Sequence, residues 1–455
     1  MATIIRQEDR EEVGIEPVGR SRQVLGTWAT FVLWADLGIS FLVMVVGMFL
    51  VPGLGLGEAL VAIVVGAVIG NVLLGLAAGI GFDTGMPTMA LLRGPLGMRG
   101  SYVPTLLNIV QLLGWATFEI IVMAQAADVL AARLFGIPSA YHLWVLFFTL
   151  LTLVMALGGP VRVTKQWLEK FAVWLVVATT VWITVSLLMS YDVGALLTKA
   201  GTGELSFWAG VDLVVALPIS WFPLVADYSR FSHTRRSAVW GTGLGYLVPQ
   251  VWFYALGALL VLTAGVVSDP NAPVASLLAG IAGVTGGWIA LIALLIDETD
   301  EGFANVYSTA VSIQNLVPRA SQRMLTIGIC GLVLVVAWVV PLAQYESFLL
   351  LIGSAFVPLL GVLAADYFVL RGRQYVPQEL LHPEPGRRTM NWVGMGVWLA
   401  GVAVYLVISG VPALGVDGMA PWLGASLPSF GVAFVLHVVL GRLVERKPAT
   451  VTART

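Results

Sequence analysis

The stretch at 294–315, LLIDETDEGFANVYSTAVSIQN, sets four carboxylates, Asp297, Glu298, Asp300 and Glu301, inside an otherwise apolar run. Carboxylates so placed bind hard cations, take up protons or accept hydrogen bonds from an amine-bearing ligand. A helix beginning near Gly286 or Gly287 carries Asp300 roughly 20 Å along its axis, at about 1.5 Å per residue, close to the middle of a bilayer. A carboxylate turned to lipid there costs on the order of 3 kcal/mol, so several of the four must face protein, water or a cation. At about 100° per residue, Asp297, Glu301, Ala304, Asn305 and Ser308 share one side, and Ile296, Thr299 and Asp300 the adjoining side. Two neighbouring polar faces predict two adjacent sites. The plainer alternative is that Asp297 and Glu298 belong to a wet helix end and only Asp300 and Glu301 matter.

Other stretches supply partners. The third apolar run, 104–132, spaces Asn108, Gln111, Trp115 and Glu119 by three, four and four residues, one polar and aromatic stripe on a helix, with Gln125 and Asp128 beyond it. An indole one turn before a carboxylate suits a flat, nitrogen-rich ligand, because the ring stacks and the acid bonds its edge. Trp115 alone, among sixteen tryptophans, would be ordinary core. The first run carries Asp36 and Gly38 in WADLGIS at 34–40, and the sixth carries Pro218 and Pro223 in LPISWFP at 217–223. An internal proline removes an amide donor and costs about 3 kcal/mol or more, and non-helical backbone is tolerated at that depth only where it lines a cavity. Interrupted spans five helices apart point to an inverted-repeat secondary transporter, with a simple kink in the sixth span as the alternative.

These residues sit in a chain of 455 residues that is 58% hydrophobic and 11% charged, with mean hydropathy +0.91. A soluble domain carries about a quarter charged residues, so this is a polytopic membrane protein. Apolar runs long enough to span fall at 24–50, 58–81, 104–132, 141–159, 167–190, 207–227, 238–266, 284–315, 324–341, 345–370, 391–410 and 424–441, about twelve in all. Only Arg133 and Lys199 then fall on one face, and the other 22 of the 24 Lys and Arg fall on the N-terminal face. The positive-inside rule puts both termini in the cytoplasm, with the loops holding Arg93, Arg162, Arg230, Arg319 and Arg371. The N-terminal residues lack the apolar core of a signal peptide, so the first span is expected to stay in the mature protein.

The expected layout is a disordered cytoplasmic tail at 1–23, one repeat at 24–190, a second at 207–370, a linker at 371–390, a peripheral helix pair at 391–441 and a tail at 442–455. A net charge of −2 says nothing useful about partners, no nucleic acid is expected among them, and a single cysteine, Cys330, excludes an internal disulfide. His142, His233, His382 and His437 are too scattered for a zinc site. There is no GxxxxGK[ST] loop and no soluble domain of ATPase size, so any active transport runs on an ion gradient.

Four motifs, GFDTGMPTMALLRGPLG at 81–97, NIVQLLGW at 108–115, DYSR at 227–230 and NVYS at 305–308, resemble those of the nucleobase:cation symporter family, the purine-cytosine permeases and hydantoin transporters. The resemblance runs from about 14 to 371. It implies an all-α LeuT-type fold: ten core helices in two inverted five-helix repeats, two extra C-terminal helices, and alternating access around a site between spans one, three, six and eight. By the same resemblance Trp115 is the stacking tryptophan and Asn305 the substrate-binding asparagine. Glu119 takes the polar position one turn after Trp115 that is often glutamine or asparagine. The matching position in the sixth span falls between Pro218 and Trp221, which makes Ser220 and Trp221 candidates, and Gly38, Gln111 and Glu301 complete the expected lining. The family's sodium site implies the carbonyls of Trp34 and Leu37 with two hydroxyl-bearing residues of the eighth span. Thr299 and Asp300 stand at those positions, beside Ile296, so a carboxylate replaces a hydroxyl. An ionised Asp300 strengthens sodium binding, and a protonated one carries the coupling ion itself, so sodium and proton both stay open. No cofactor is implied.

Glu119 narrows the ligand. Ionised, it suits a donor–donor edge such as that of guanine; protonated, it suits the acceptor-plus-amine edge of cytosine or adenine. The expectation is import of a nucleobase-like, amino-bearing ring with a monovalent cation, by a monomer or weak oligomer in the cell (inner) membrane. Carriers of hydantoin or allantoin, a thiamine precursor or an amino acid on the same fold are the rivals. A cation channel would want a ring-forming filter, and an intramembrane aspartyl hydrolase two acids on facing helices, whereas Asp297 and Asp300 lie on one. The Asp227 and Arg230 pair at the end of the sixth span reads as a structural ion pair or a gate.

Overall fold

The computed structural model describes residues 14–158, 173–263, 273–339, 345–382, 389–411 and 414–445. Most of the N-terminal tail, the loop with Arg162, the linker part at 383–388 and the chain from 446 lie outside the described residues, as do the side chains of Asp297 and Asp300.

The first apolar run is broken, as its sequence suggests. It forms α1 (Thr27–Asp36) and α2 (Phe41–Leu50), which meet at 62°. Ser40 starts the second piece as an N-cap in extended conformation, its Oγ accepting from Leu42 N–H at 3.1 Å. The break presses on a neighbour. A Cβ on Gly38 would stand 2.8 Å from Pro249 Cγ and 2.9 Å from Tyr246 O, so only glycine lets the two chains come this close.

The remaining long helices are α3 (Leu56–Thr84), α4 (Tyr102–Phe135), α5 (Tyr141–Gly158), α6 (Val173–Ser190), α7 (Phe207–Ser229), α8 (Thr242–Thr263), α9 (Gly287–Leu316), α10 (Gln322–Val339), α11 (Tyr345–Ala364), α12 (Trp392–Ser409) and α13 (Ser426–Glu445). Among the described residues nine helices are long and apolar enough to cross a membrane, or ten with the bent α1–α2 pair. The expected twelve would also need α6, whose described part is short, and α9, which carries the four acids. Helices α2 and α8, and α3 and α7, pack as close pairs, while α4 and α9 pack along each other. The lone sheet among the described residues is a two-residue antiparallel pair, Gly410 opposite Asp417.

The sixth span departs from expectation. α7 is one continuous helix with Pro218 and Pro223 inside it, not an interrupted one. Pro218 leaves the Val214 carbonyl without its usual amide, and α8 supplies the replacement: Gln250 Nε2 donates to Val214 O at 3.4 Å and Tyr254 Oη at 3.2 Å. With the orphaned acceptor satisfied from outside, the helix has no need to open. Gly70 of α3 receives the proline ring, since a Cβ there would lie 2.6 Å from Pro218 Cγ.

The N-terminal segment is ordered from Gly14, where the sequence suggests a free tail. Val18 N–H donates to Gly85 O at 2.9 Å, and Gln23 Nε2 reaches both Phe82 O and Arg230 O. Leu25 exchanges backbone hydrogen bonds with Phe231 and His233, and Arg230 Nη1 donates to Gly14 O at 2.8 Å. Asp227 and Arg230 are structural, though not as an ion pair with each other. The Asp227 carboxylate accepts from Thr88 N–H at 3.1 Å, and Arg230 Nε bonds the Asp227 backbone oxygen at 3.2 Å.

Overfilling the α3–α7 contact costs about 1–3 kcal/mol. Gly70→Leu is therefore expected to lower the melting temperature of the purified protein, while Gly331→Leu, where a Cβ meets nothing within 4 Å, leaves it unchanged. Equal melting of the two variants would refute the contact.

Candidate substrate and cation site

Four elements converge at the helix-one break. Ser40, Leu42 and Val43 come from it, Trp115 and Glu119 from α4, Leu217, Ser220 and Trp221 from α7, Tyr246 from α8, and Glu301 and Asn305 from α9; together they line one cavity. Six of the residues expected at the substrate site are thus brought together: Trp115, Glu119, Ser220, Trp221, Glu301 and Asn305. Among the described residues no basic side chain lines the cavity. Its free volume is about 10 Å³, room for about one water, so a ring enters only when the walls move.

The walls are aromatic. Trp115 meets Phe348 at 5.2 Å and Tyr345 at 5.8 Å between ring centroids, both edge to face. Opposite, Trp221 packs edge-on to Trp34 at 6.0 Å and donates from Nε1 to Tyr246 Oη at 2.9 Å. Trp115 Nε1, a donor, and Glu119 Oε2, an acceptor, are among the buried polar atoms without a hydrogen-bond partner. Trp115 is 6% exposed and Glu119 1%, so neither atom is served by bulk water.

Two expected lining residues stand aside. Gly38 is taken up by its contact with α8. Gln111 ties helices together, its Nε2 donating to Ser220 O at 2.8 Å and Asn108 Oδ1 at 3.2 Å.

For the cation set, Trp34 and Leu37 are buried at the break. The amides that would normally close on their carbonyls go elsewhere: Gly38 N–H bonds Ala35 O and Phe41 N–H bonds Glu298 Oε2. Thr299 donates from Oγ1 to Ile296 O at 2.8 Å, and both residues line a separate apolar cavity of about 940 Å³ between α4, α5 and α9. Asp300 lies outside the described side chains.

Sequence reasoning put Glu298 on neither polar face and gave it a place, at a wet helix end, only in the alternative reading. It is fully buried. Oε1 accepts from Ser40 Oγ at 2.9 Å and Oε2 from Phe41 N–H at 3.3 Å, so a carboxylate of α9 closes the N-terminus of α2. Its carboxylate oxygen also lies within 4.8 Å of those of Glu119 and Glu301. The available signal was spacing: Glu298 and Glu301, three apart, sit about 60° apart around a helix. Tyr246 carried no such signal.

A family model described as permease for cytosine/purines, uracil, thiamine, allantoin matches residues 17–422. A hydantoin permease of Microbacterium maritypicum is 23% identical over 409 residues, covering 85% of this chain and 82% of its own length. The cytosine permease of Escherichia coli strain K12 is 24% identical over 418 residues, covering 87% and 91%. Among solved structures, Mhp1, a nucleobase-cation-symport-1 family transporter, in a closed conformation with bromovinylhydantoin bound, matches with a TM-score of 0.81 at 21% identity, over 95% of this chain and 96% of that one. The inward-facing conformation of Mhp1 matches with a TM-score of 0.76 at 20% identity, over 95% and 93%. The likeness is one of fold.

Leaving the Phe41 amide and Ser40 hydroxyl without Glu298 costs about 1–3 kcal/mol per buried group. Glu298→Leu is expected to lower the melting temperature more than Glu298→Gln, whose amide oxygen still accepts. Indistinguishable melting curves for the two would remove the capping role.

Proposed function

The chain belongs to the family of permeases for cytosine/purines, uracil, thiamine and allantoin, and on that premise we propose that it imports an amino-bearing nucleobase or related aminopyrimidine by cation symport. As a permease it moves solutes and does not convert them. The observation that carries the substrate reading is the unpartnered pair of Trp115 Nε1 and Glu119 Oε2 beside one cavity. Glu119 accepts from the exocyclic amine and a ring N–H, Trp115 lends a ring face and its indole donor, and the Asn305 amide takes the remaining edge. Edge-on packing by Tyr345 and Phe348 fixes the Trp115 ring, which lowers the entropy lost when a flat ligand stacks on it.

The coupling ion is read as sodium, with a proton as the alternative. The carbonyls of Trp34 and Leu37, whose usual amides turn away, with Ile296, Thr299 and Asp300 form the proposed cation set, since oxygen ligands suit a hard ion. Because the helix-one break and α9 both contribute, filling the set joins two elements that also border the substrate cavity. A gain in substrate affinity with sodium must be matched by an equal gain in sodium affinity with substrate. The protein is placed in the cell membrane with both termini cytoplasmic, on the charge distribution. A hydantoin-type ring is the second reading, favoured by the likeness to the hydantoin permease and by an amide at 305.

Proteoliposome uptake of radiolabelled cytosine, adenine, guanine, uracil and hydantoin under separate sodium and proton gradients tests both readings. One amino-bearing base following sodium is expected, with uptake falling at least tenfold in Trp115→Ala and Glu119→Ala. Full uptake by Glu119→Ala sinks the amine-edge reading, and hydantoin as sole substrate selects the second one.

A further inference from the structure

We propose that Glu119, Glu298 and Glu301 together bind a hard inorganic cation, at a second site apart from the one assigned to Trp34, Leu37, Thr299 and Asp300. One oxygen from each of the three carboxylates lies within 4.8 Å of the others, and a point between three atoms so spaced lies about 2.8 Å or less from each. Small inward shifts bring that to the roughly 2.3–2.6 Å at which calcium binds carboxylate oxygen. All three groups are buried, at 1%, 0% and 5% exposure.

A second observation points to a ligand. Glu119 Oε2, in a side chain 1% exposed, has no hydrogen-bond partner. The cavity bordered by Ser40, Glu119 and Glu301 holds about 10 Å³, the room of one water or one ion, and among the described residues no Lys, Arg or His borders it. The α2 amide end offsets part of the negative charge of Glu298.

The two cation sites are separate because α9 turns them to different cavities. Glu301 borders the central one, while Ile296 and Thr299 border the apolar one. An ion among the three carboxylates touches the substrate space through Glu119 and Glu301, and the start of α2 through Glu298. Its binding therefore draws α4, α9 and the helix-one break together. The inference goes beyond the transport reading and does not depend on which ring is carried.

The test is equilibrium binding of ²²Na⁺ and, separately, ⁴⁵Ca²⁺ to the full-length protein in lipid nanodiscs, with no organic substrate present. Glu298→Gln, whose one amide oxygen still accepts from Phe41 N–H while its NH2 can donate to the Ser40 hydroxyl, is expected to lose one ion per protein, and Thr299→Ala to keep that ion. Loss of sodium or of calcium identifies which ion the site takes. Should Glu298→Gln not fold, Glu119→Gln, which bonds neither Ser40 nor Phe41, is expected to show the same loss. Unchanged stoichiometry of both ions in the folded variants overturns the site, and loss of one ion in each of Glu298→Gln and Thr299→Ala with no further loss in the double variant overturns its separateness. Failure of ring uptake would leave these binding results standing, so the two readings fail independently.

Discussion

The bond between Glu298 and the start of α2 is the constraint on which the rest of the site depends. A helix broken inside a membrane exposes amides that lipid cannot satisfy, and each would cost several kcal/mol if left bare. Here the Phe41 amide is taken by a carboxylate from α9, and that carboxylate also holds the Ser40 hydroxyl. The break persists because a second helix completes it, and the acids of α9 are tolerated because the break receives one of them. Neither feature is affordable alone. Together they place the cavity where α2, α4, α7, α8 and α9 meet.

The same accounting explains where the chain does not break. Two prolines in α7 free backbone acceptors, and at Val214 the polar groups of Gln250 and Tyr254 step in. Glycines then bring the partner helices close: Gly70 admits the Pro218 ring and Gly38 admits Pro249 and the Tyr246 carbonyl. Small residues at close crossings are what membrane helices use where burial from water gives no drive to associate. The bundle is held by shape and by borrowed hydrogen bonds, with aromatic rings filling the interior between them.

Much of this was legible from residue spacing. Carboxylates in an apolar run, the Trp115 and Glu119 stripe and the Asp36-to-Ser40 interruption each signal their place because lipid penalises them singly. Pro218 misled for a physical reason: a sequence shows the donor a proline removes, not the distant side chain that replaces it, and Gln250 is 36 residues from Val214. Glu298 was missed in the same way, since its partner at Ser40 is 258 residues distant. Gln111 had the right spacing for the cavity but bonds a backbone oxygen of α7. Periodicity gives the face of a helix; it does not say which groups on that face are already spoken for.

The 258-residue separation of Ser40 and Glu298 also bears on how the protein is made. At about 5–20 residues per second, the ribosome delivers Glu298 roughly 10–50 s after Ser40. Over that interval α2 has entered the bilayer without the group that closes its first turn. The interruption in the first span therefore reaches its native bonding only after α9 is made, and the nascent chain has to shelter it with water, lipid headgroups or insertion machinery until then.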